Sequence, residues 1–394
     1  MAHGARWLWT TKMNKLTAEQ IAEYNEKRKK FDQNRSINTV SPCVAPYNNM
    51  YFTTEGRVAP CWLLVGHLDT WSPTRSIKDI WFGEKFTEYR NSLKEGIFKS
   101  ECRVCKQKIE ADTWPLAMAY DGFTVKEYPT MLELELSNQC NLECVMCEGR
   151  LSSGIRKNRD QLPPLPQVYD DSFVEQLKEF IPHLEELRFN GGEPFAQKIV
   201  YDICMLVAEI NPGLRINIAT NGTVYNKQVR EILAKCNISL NISIDSLDKD
   251  NYEAIRINGD FDTLMENFQT FNKYCKDNDR GLSVMVNPMN NNWWEMPKFV
   301  EFTTENKVNL WYNTIHHPEH LSIWSLPSQD LNVILQTLQP QVDALKPADF
   351  SNFVAHGNWE KLNHFVNKQI YNWYQKQLSR ESEVSKKVIE IQVI

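Results

Sequence analysis

Between residues 131 and 317 the chain alternates two hydrophobic patterns. Short β-rich runs at 132–137, 186–190, 215–220, 238–245, 282–287 and 309–315 predict six strands. The stretches at 173–180, 196–210, 227–236, 261–278 and 295–304 return apolar residues every three or four positions, several bounded by Pro, Gly or Asn, and predict amphipathic helices. Such alternation builds right-handed βαβ crossovers and a parallel sheet, with the loops that carry chemistry beyond the C-terminal ends of the strands. Six βα units suffice for an incomplete barrel, so the expected class is α/β.

Three regions flank this core. Residues 1–40 hold a charged helical stretch at 18–31, residues 41–115 read as irregular, and residues 321–394 as mostly helical, most clearly at 331–338 and 359–377. The barrel is expected over 125–320. No internal repeat or low-complexity tract is present. At 394 residues the chain accommodates one large catalytic domain with smaller appendages. Forty-four basic against 50 acidic residues leave a formal charge of −6, which gives no global attraction to nucleic acid or to an anionic membrane. The longest apolar runs, at 61–66 and 203–207, fall far short of the ~20 residues of a membrane span. Trp7 and Trp9 precede a charged run over 12–30, unlike the apolar segment and small-residue cleavage site of a secretory signal, so a cytoplasmic protein is expected.

Seven of the ten cysteines precede residue 150. In a reducing compartment clustered cysteines are metal ligands or redox groups more often than disulfides. Directly after the first core strand stands Cys140-Asn141-Leu142-Glu143-Cys144-Val145-Met146-Cys147. Three thiolates this close can wrap one face of a cubane iron–sulfur cluster and leave its fourth iron open to a small-molecule chelator. A zinc site or three unrelated thiols is the alternative, although zinc pairs are ordinarily completed by a second pair of Cys or His, and none follows within about thirty residues. Downstream, Gly191-Gly192-Glu193-Pro194 follows the second strand, Thr220-Asn221-Gly222 the third and Ser243-Ile244-Asp245-Ser246 the fourth. Glycines permit close backbone approach to a ligand, a carboxylate suits an ammonium group, and hydroxyls suit a ribose. Each segment also has a plain reading as a turn or a helix cap.

The CxxxCxxC loop at a strand end, with this series behind it, resembles the radical SAM superfamily over roughly residues 130–320. That resemblance implies a partial (β/α)6 barrel, a [4Fe–4S] cluster on Cys140, Cys144 and Cys147, and S-adenosylmethionine (SAM) bound at the barrel mouth. Gly191, Gly192, Glu193 and Pro194 are then similar to the segment that meets the methionyl amino group. Thr220, Asn221, Ser243 and Asp245 lie where the family binds SAM. Arg256 is similar to a position that meets the SAM carboxylate in some members, and Asn287 ends the fifth strand at the same face. The implied chemistry is one-electron cleavage of SAM to methionine and a 5′-deoxyadenosyl radical that abstracts hydrogen from substrate.

A second set, Cys43, Cys61, Cys102 and Cys105, provides four thiolates that could close a metal site. Gly56, four further residues and Cys61, with Cys43 upstream and a later CxxC, are similar to the SPASM/twitch module, which implies one auxiliary [4Fe–4S] cluster. That module ordinarily follows the barrel, whereas here it precedes it. A zinc tetrathiolate is the alternative. Cys204, Cys236 and Cys275 are expected to be packing residues. His316, His317 and His320 are expected just after the sixth strand, as substrate contacts or loop residues, with a zinc site as the less favoured alternative, and Trp293, Trp294, Trp311 and Trp324 around the later strand ends, lining a substrate pocket or packing. The basic stretch at 150–159 reads either as an anion contact or as an exposed loop.

Twitch and SPASM relatives commonly modify peptide side chains, so a peptide substrate is the first expectation. The forty residues ahead of the auxiliary region are, however, too few for a winged-helix peptide-recognition domain. A small-molecule dehydrogenase or isomerase acting on a sugar, nucleoside or amino-acid derivative is the second expectation. A non-catalytic iron–sulfur electron carrier is the reading from another class. A reductant such as flavodoxin or ferredoxin is the expected protein partner of the enzyme.

Overall fold

The computed structural model describes residues 43–110, 119–349 and 351–392, with Asn14, Lys15 and scattered positions between 17 and 26. Trp7, Trp9 and most of the expected helix at 18–31 lie outside the described residues. After a two-residue strand at Asn14–Lys15, which pairs antiparallel with Ile97–Phe98, come β1 (Asn49–Phe52), β2 (Arg57–Ala59) and β3 (Asp69–Thr70), then α1 (Ile77–Trp81), α2 (Glu84–Lys94) and α3 (Arg103–Glu110). Then come β4 (Met131–Leu134), α4 (Ser153–Asn158), α5 (Asp171–Phe180), β5 (Glu186–Phe189), α6 (Lys198–Ile210), β6 (Arg215–Thr220), α7 (Lys227–Lys235) and β7 (Asn237–Ser243). The run closes with α8 (Lys249–Ile255), α9 (Phe261–Asp277), β8 (Leu282–Val286), α10 (Met296–Asn306), β9 (Asn309–Tyr312), α11 (Ser328–Ala344), α12 (Phe353–His364) and α13 (Tyr371–Gln392).

All six expected core strands are present as β4 to β9, displaced by only a few residues at their ends. Their nine-strand sheet is open and mostly parallel, so the α/β class holds. The helix starts follow from the sequence: the side chains of Asp170, Asn226, Asp248 and Asp260 each accept a backbone N–H in the first turn of α5, α7, α8 and α9. Two short helices, α4 and α8, were not expected, because six or seven residues hold too few turns for an apolar stripe to show. The described part of residues 41–115 is not irregular. It holds β1, β2, β3, a two-residue strand at Ile97–Phe98, a single helical turn at Ala45–Asn48 and α1 to α3, and β1 pairs in parallel with β4, Asn49 opposite Met131 and Phe52 opposite Leu134. With no helix between one and the next, β1, β2 and β3 carry no strand–helix alternation to read.

The chain condenses into two units that interleave along the sequence. The first comprises Met1–Ser137, Leu165–Gly191 and Ile199–Ile216, the second Asn138–Pro164, Gly192–Lys198 and Asn217–Ile394. In the first, strands run in the order β5-β4-β1-β2-β3, antiparallel from β1 to β3. Phe52, Trp71, Tyr169 and Phe173 pack edge-on or stacked at its centre, with ring centroids 4.7 to 6.4 Å apart.

In the second unit the order is β9-β8-β7-β6, with β7, β8 and β9 mutually parallel. Ile238, Leu240 and Ile242 of β7 alternate into a core with Val284, Val286, Phe268 and Phe299. Asn358 of α12 protects the strand β9: its carbonyl accepts from the Leu310 N–H at 2.8 Å, and its amide donates to the Val308 carbonyl and the Thr303 hydroxyl. Among the described residues no helix is long and apolar enough to cross a membrane.

Candidate active site and second cysteine set

The three-cysteine loop lies entirely in the second unit and is fastened along its length. Glu143 N–H donates to the Ile257 carbonyl and Val145 N–H to the Ile255 carbonyl, each at 2.9 Å, so the loop runs alongside the segment that carries Arg256. Val145 and Met146 pack on a small apolar cluster of Ile255, Met289 and Leu321. Asn138 donates to the Gly149 carbonyl and the Ser152 hydroxyl to the Leu142 carbonyl, both buried. Arg159 donates to the Cys147 carbonyl at 2.8 Å. The basic stretch at 150–159 is therefore ordered, in part as α4, and Arg159 is turned onto the loop itself.

Burial pushes the Cys140 thiol up to about 12, reinforced by Glu193, Cys144 and Cys147 and opposed by a Leu142 N–H. Burial and Cys144 push Cys147 up to about 11. Cys144 is likewise raised by burial, although the Arg256 guanidinium works against this. These thiols repel one another's charge, and the condition is relieved by a shared metal cation.

Glu193 is wholly buried and organises two strand ends. Its carboxylate accepts from the Phe195 N–H at 3.0 Å, the Thr220 hydroxyl at 2.8 Å and the Asn221 N–H at 2.7 Å, while its own N–H donates to the Gln139 carbonyl beside Cys140. Burial raises its pKa, and these donors pull it back. Asn221 in turn donates to Asn141 within the cysteine loop, whose own amide reaches Thr223. Gly191 at φ +75° and Gly222 at φ +76° occupy left-handed backbone positions, and at each a Cβ would fall within 2.9 Å of a neighbour.

Asp245 and Arg256 form a buried ion pair, Oδ2 to Nη2 2.7 Å. Asp245 also accepts from the backbone and side-chain N–H groups of Asn287 at 2.7 and 3.0 Å. Arg256 Nη1 reaches the Cys144 sulfur at 3.8 Å. Burial opposes the Arg256 charge most strongly of any single cause, but Asp245, Cys144 and Tyr252 together outweigh it and hold its pKa above the ordinary value. Ser243 ends β7 opposite Met285. The structure thus joins Glu193, Thr220 and Asn221 in one network, and Asp245, Arg256 and Asn287 in another. Sequence reading missed three supporting residues: Asn141, which links the first network to the loop, Arg159, which holds the Cys147 carbonyl, and Glu295, whose buried carboxylate accepts from Ser246, Leu247 and Asn251 beyond Asp245.

Of the remaining candidates, Trp294 and Trp311 are exposed, the Lys361 ammonium lies 3.7 Å from the Trp311 ring centroid, and His316 lies 6.3 Å from Trp324. Cys204, Cys236 and Cys275 are buried.

The other four cysteines lie in the first unit. Cys61, Cys102 and Cys105 belong to one buried apolar cluster with Val44, Tyr89 and Tyr120, and Cys43 packs against it. Burial raises the Cys61 thiol well above its ordinary value, and Cys43, Cys102 and Cys105 each add to the shift, so the four sulfurs share one neighbourhood. Beneath them, buried Glu133 of β4 accepts from the Tyr120 hydroxyl at 2.6 Å and from Asn49 at 2.9 Å, and Asn49 also donates to the Pro60 carbonyl next to Cys61. Among the described residues no three His, Cys, Asp or Glu side chains are gathered for a single metal ion.

Comparison with known proteins finds two domain families along the chain. Residues 134–303 match the radical SAM superfamily, and residues 43–106 match the SPASM iron–sulfur cluster-binding domain. The chain is similar to the mitochondrial GTP 3′,8-cyclase of Arabidopsis thaliana, 27% identical over 46% of this chain and 45% of that protein. It is also similar to the GTP 3′,8-cyclase of Peptoclostridium acidaminophilum, 23% identical over 56% of this chain and 66% of that one. It therefore spans about half to two thirds of the length of these relatives. Among solved structures, Streptococcus suis SuiB bound to S-adenosylmethionine matches 62% of this chain and 58% of its own at 15% identity, with a TM-score of 0.39.

The donor sets fit the groups these domains hold. The first offers three thiols in mutual electrostatic range, with two buried polar atoms nearby that lack a hydrogen-bond partner, Arg256 Nε and the Tyr252 hydroxyl. The second offers four thiols in one apolar pocket, which suits a closed cluster. With three clustered thiols in one unit and four in the other, the chain carries a radical SAM domain over residues 134–303 and, ahead of it, a SPASM iron–sulfur cluster-binding domain over residues 43–106.

Proposed function

We propose that this protein is a radical SAM enzyme acting on a small molecule. The observation that carries the reading is the three-cysteine loop tied to the Glu193 network on one side and to the Asp245–Arg256 pair on the other. In this reading Cys140, Cys144 and Cys147 hold the cluster, and Gly191 to Pro194, Thr220, Asn221, Ser243, Asp245, Arg256 and Asn287 form the SAM site. When bound and reduced, the cluster supplies the electron that divides SAM into methionine and a 5′-deoxyadenosyl radical, which takes a hydrogen atom from substrate. The chain's own residues prepare for this. Glu193 fixes the two strand-end segments through three hydrogen bonds, so that they do not reorganise when ligand enters. Arg256, held by Asp245, brings positive charge to the Cys144 sulfur, which favours its thiolate.

Of the two substrate expectations, the small-molecule one has the support: the relatives in Arabidopsis thaliana and Peptoclostridium acidaminophilum are GTP 3′,8-cyclases, named for a nucleotide substrate. A purine nucleoside triphosphate is accordingly the first substrate to try. Cys43, Cys61, Cys102 and Cys105 hold the auxiliary cluster, which serves electron transfer or substrate positioning, and a flavodoxin or ferredoxin is the reductant.

The test is anaerobic reconstitution followed by dithionite and SAM, with 5′-deoxyadenosine measured by chromatography. Product is expected from the wild type, together with a severalfold increase on adding GTP, and none from Cys144→Ala. Intact clusters without 5′-deoxyadenosine would sink the enzyme reading. Product that GTP and other nucleotides leave unchanged, but a peptide library increases, would return the peptide substrate to first place.

A further inference from the structure

Inside the N-terminal cysteine set, the Tyr89 hydroxyl stands 2.8 Å from the Cys102 sulfur, and both residues are buried. Tyr89 is held there from α2, whose inner face buries Phe86, Tyr89 and Leu93 at spacings of three and four. Cys102 is held at the end of a 3-10 turn in which its N–H donates to the Lys99 carbonyl. The Lys99 ammonium, paired with Glu88 at 2.6 Å, lies 5.5 Å from the centroid of the Tyr89 ring. A cation over the ring draws electron density from it and makes the hydroxyl a stronger donor.

In a protein without metal either the thiol or the phenol could donate. A thiolate bound to iron has no proton, so in the loaded site the phenol is the only possible donor. Hydrogen bonds to a charged acceptor are stronger than neutral ones, and those made to cluster sulfurs are among the levers on reduction potential. Reduction adds negative charge to the cluster and its thiolates, so a donor aimed at one of them favours the reduced state.

We propose that Tyr89 sets the potential of the auxiliary cluster by donating a hydrogen bond to the Cys102 thiolate, which makes the cluster easier to reduce. This rests on the reading of Cys43, Cys61, Cys102 and Cys105 as the auxiliary ligands. Tyr89 is a positioning and tuning residue, since it touches a ligand and not the substrate. Its place could not be read from the sequence: nothing in the pattern of α2 distinguishes it from Phe86 or Leu93.

The experiment uses the full chain carrying Cys140→Ala, Cys144→Ala and Cys147→Ala, so that iron remains only on the N-terminal set, and a redox titration followed by electron paramagnetic resonance. Tyr89→Phe keeps the ring and removes the hydroxyl. Its iron content should equal that of the parent, and at a fixed potential its ratio of reduced to oxidised cluster should fall about tenfold, equivalent to about 59 mV for one electron. Should Tyr89→Phe lose its iron, 3-fluorotyrosine incorporated at position 89 replaces it: this near-isosteric, more acidic donor should move the midpoint upward. An unmoved midpoint with iron intact would overturn the role of Tyr89. Iron that survives Cys102→Ala and Cys105→Ala, or zinc found in its stead, would overturn the auxiliary-cluster reading beneath it.

Discussion

Asp245 and Arg256 are separated in sequence by α8 and meet with both side chains out of water. A buried ion pair gains little over an apolar pair of the same shape, because each charge has given up its hydration. Removing one partner alone strands the other and costs far more. Arg256→Met is therefore expected to lower the free energy of unfolding by about 3–5 kcal/mol, and adding Asp245→Asn should recover part of the loss. Urea unfolding of the single and double variants checks this, and an Arg256→Met variant as stable as the wild type would contradict it. The sequence marked both residues as candidates for contact with SAM. It gave no sign that they face one another, because pairing depends on where the chain returns after α8.

At the scale of elements, the loops beyond the strands are shaped by a few residues whose backbone others cannot adopt. Gly222, which follows β6, has φ +76°, and an added Cβ would lie 2.7 Å from Leu264 and 2.9 Å from Ile242. Its carbonyl also accepts from the buried Asn267 amide. Gly222→Ala should combine a left-handed backbone penalty with overpacking and cost about 2–4 kcal/mol, read as a lower midpoint in thermal or urea unfolding. A neutral substitution would mean that the turn after β6 relaxes freely. The six core strands were legible because they alternate with amphipathic helices of 9 to 17 residues, whose period shows in the sequence. The strands β1, β2 and β3 of the N-terminal region were not, since no helix separates one from the next, and the helices α4 and α8 were not, since six or seven residues give a helical period too little length to appear.

At the scale of the molecule, each cysteine set is complete within one of the two units, so cluster assembly at one does not need the other's ligands. After anaerobic reconstitution, Cys140→Ala with Cys144→Ala and Cys147→Ala should leave about half of the wild-type iron, and Cys102→Ala with Cys105→Ala a comparable amount, as two [4Fe–4S] clusters require. Iron and acid-labile sulfide assays measure this. Loss of nearly all iron from either variant would show that the two sites assemble together.

What the sequence determined by itself is what lies close along the chain: the spacing of Cys140, Cys144 and Cys147, the strand–helix alternation, and the segments such as Gly191 to Pro194 that end the strands. Spacing and period are local properties, and a short peptide segment already contains them. Only the tertiary structure decided that Glu193 would be spent on Thr220 and Asn221, that Arg256 would lean on Asp245 and reach Cys144, and that Tyr89 would find the sulfur of Cys102. Those contacts join residues brought together by packing, and a buried polar group takes whichever partner the fold delivers because leaving it unpaired costs more.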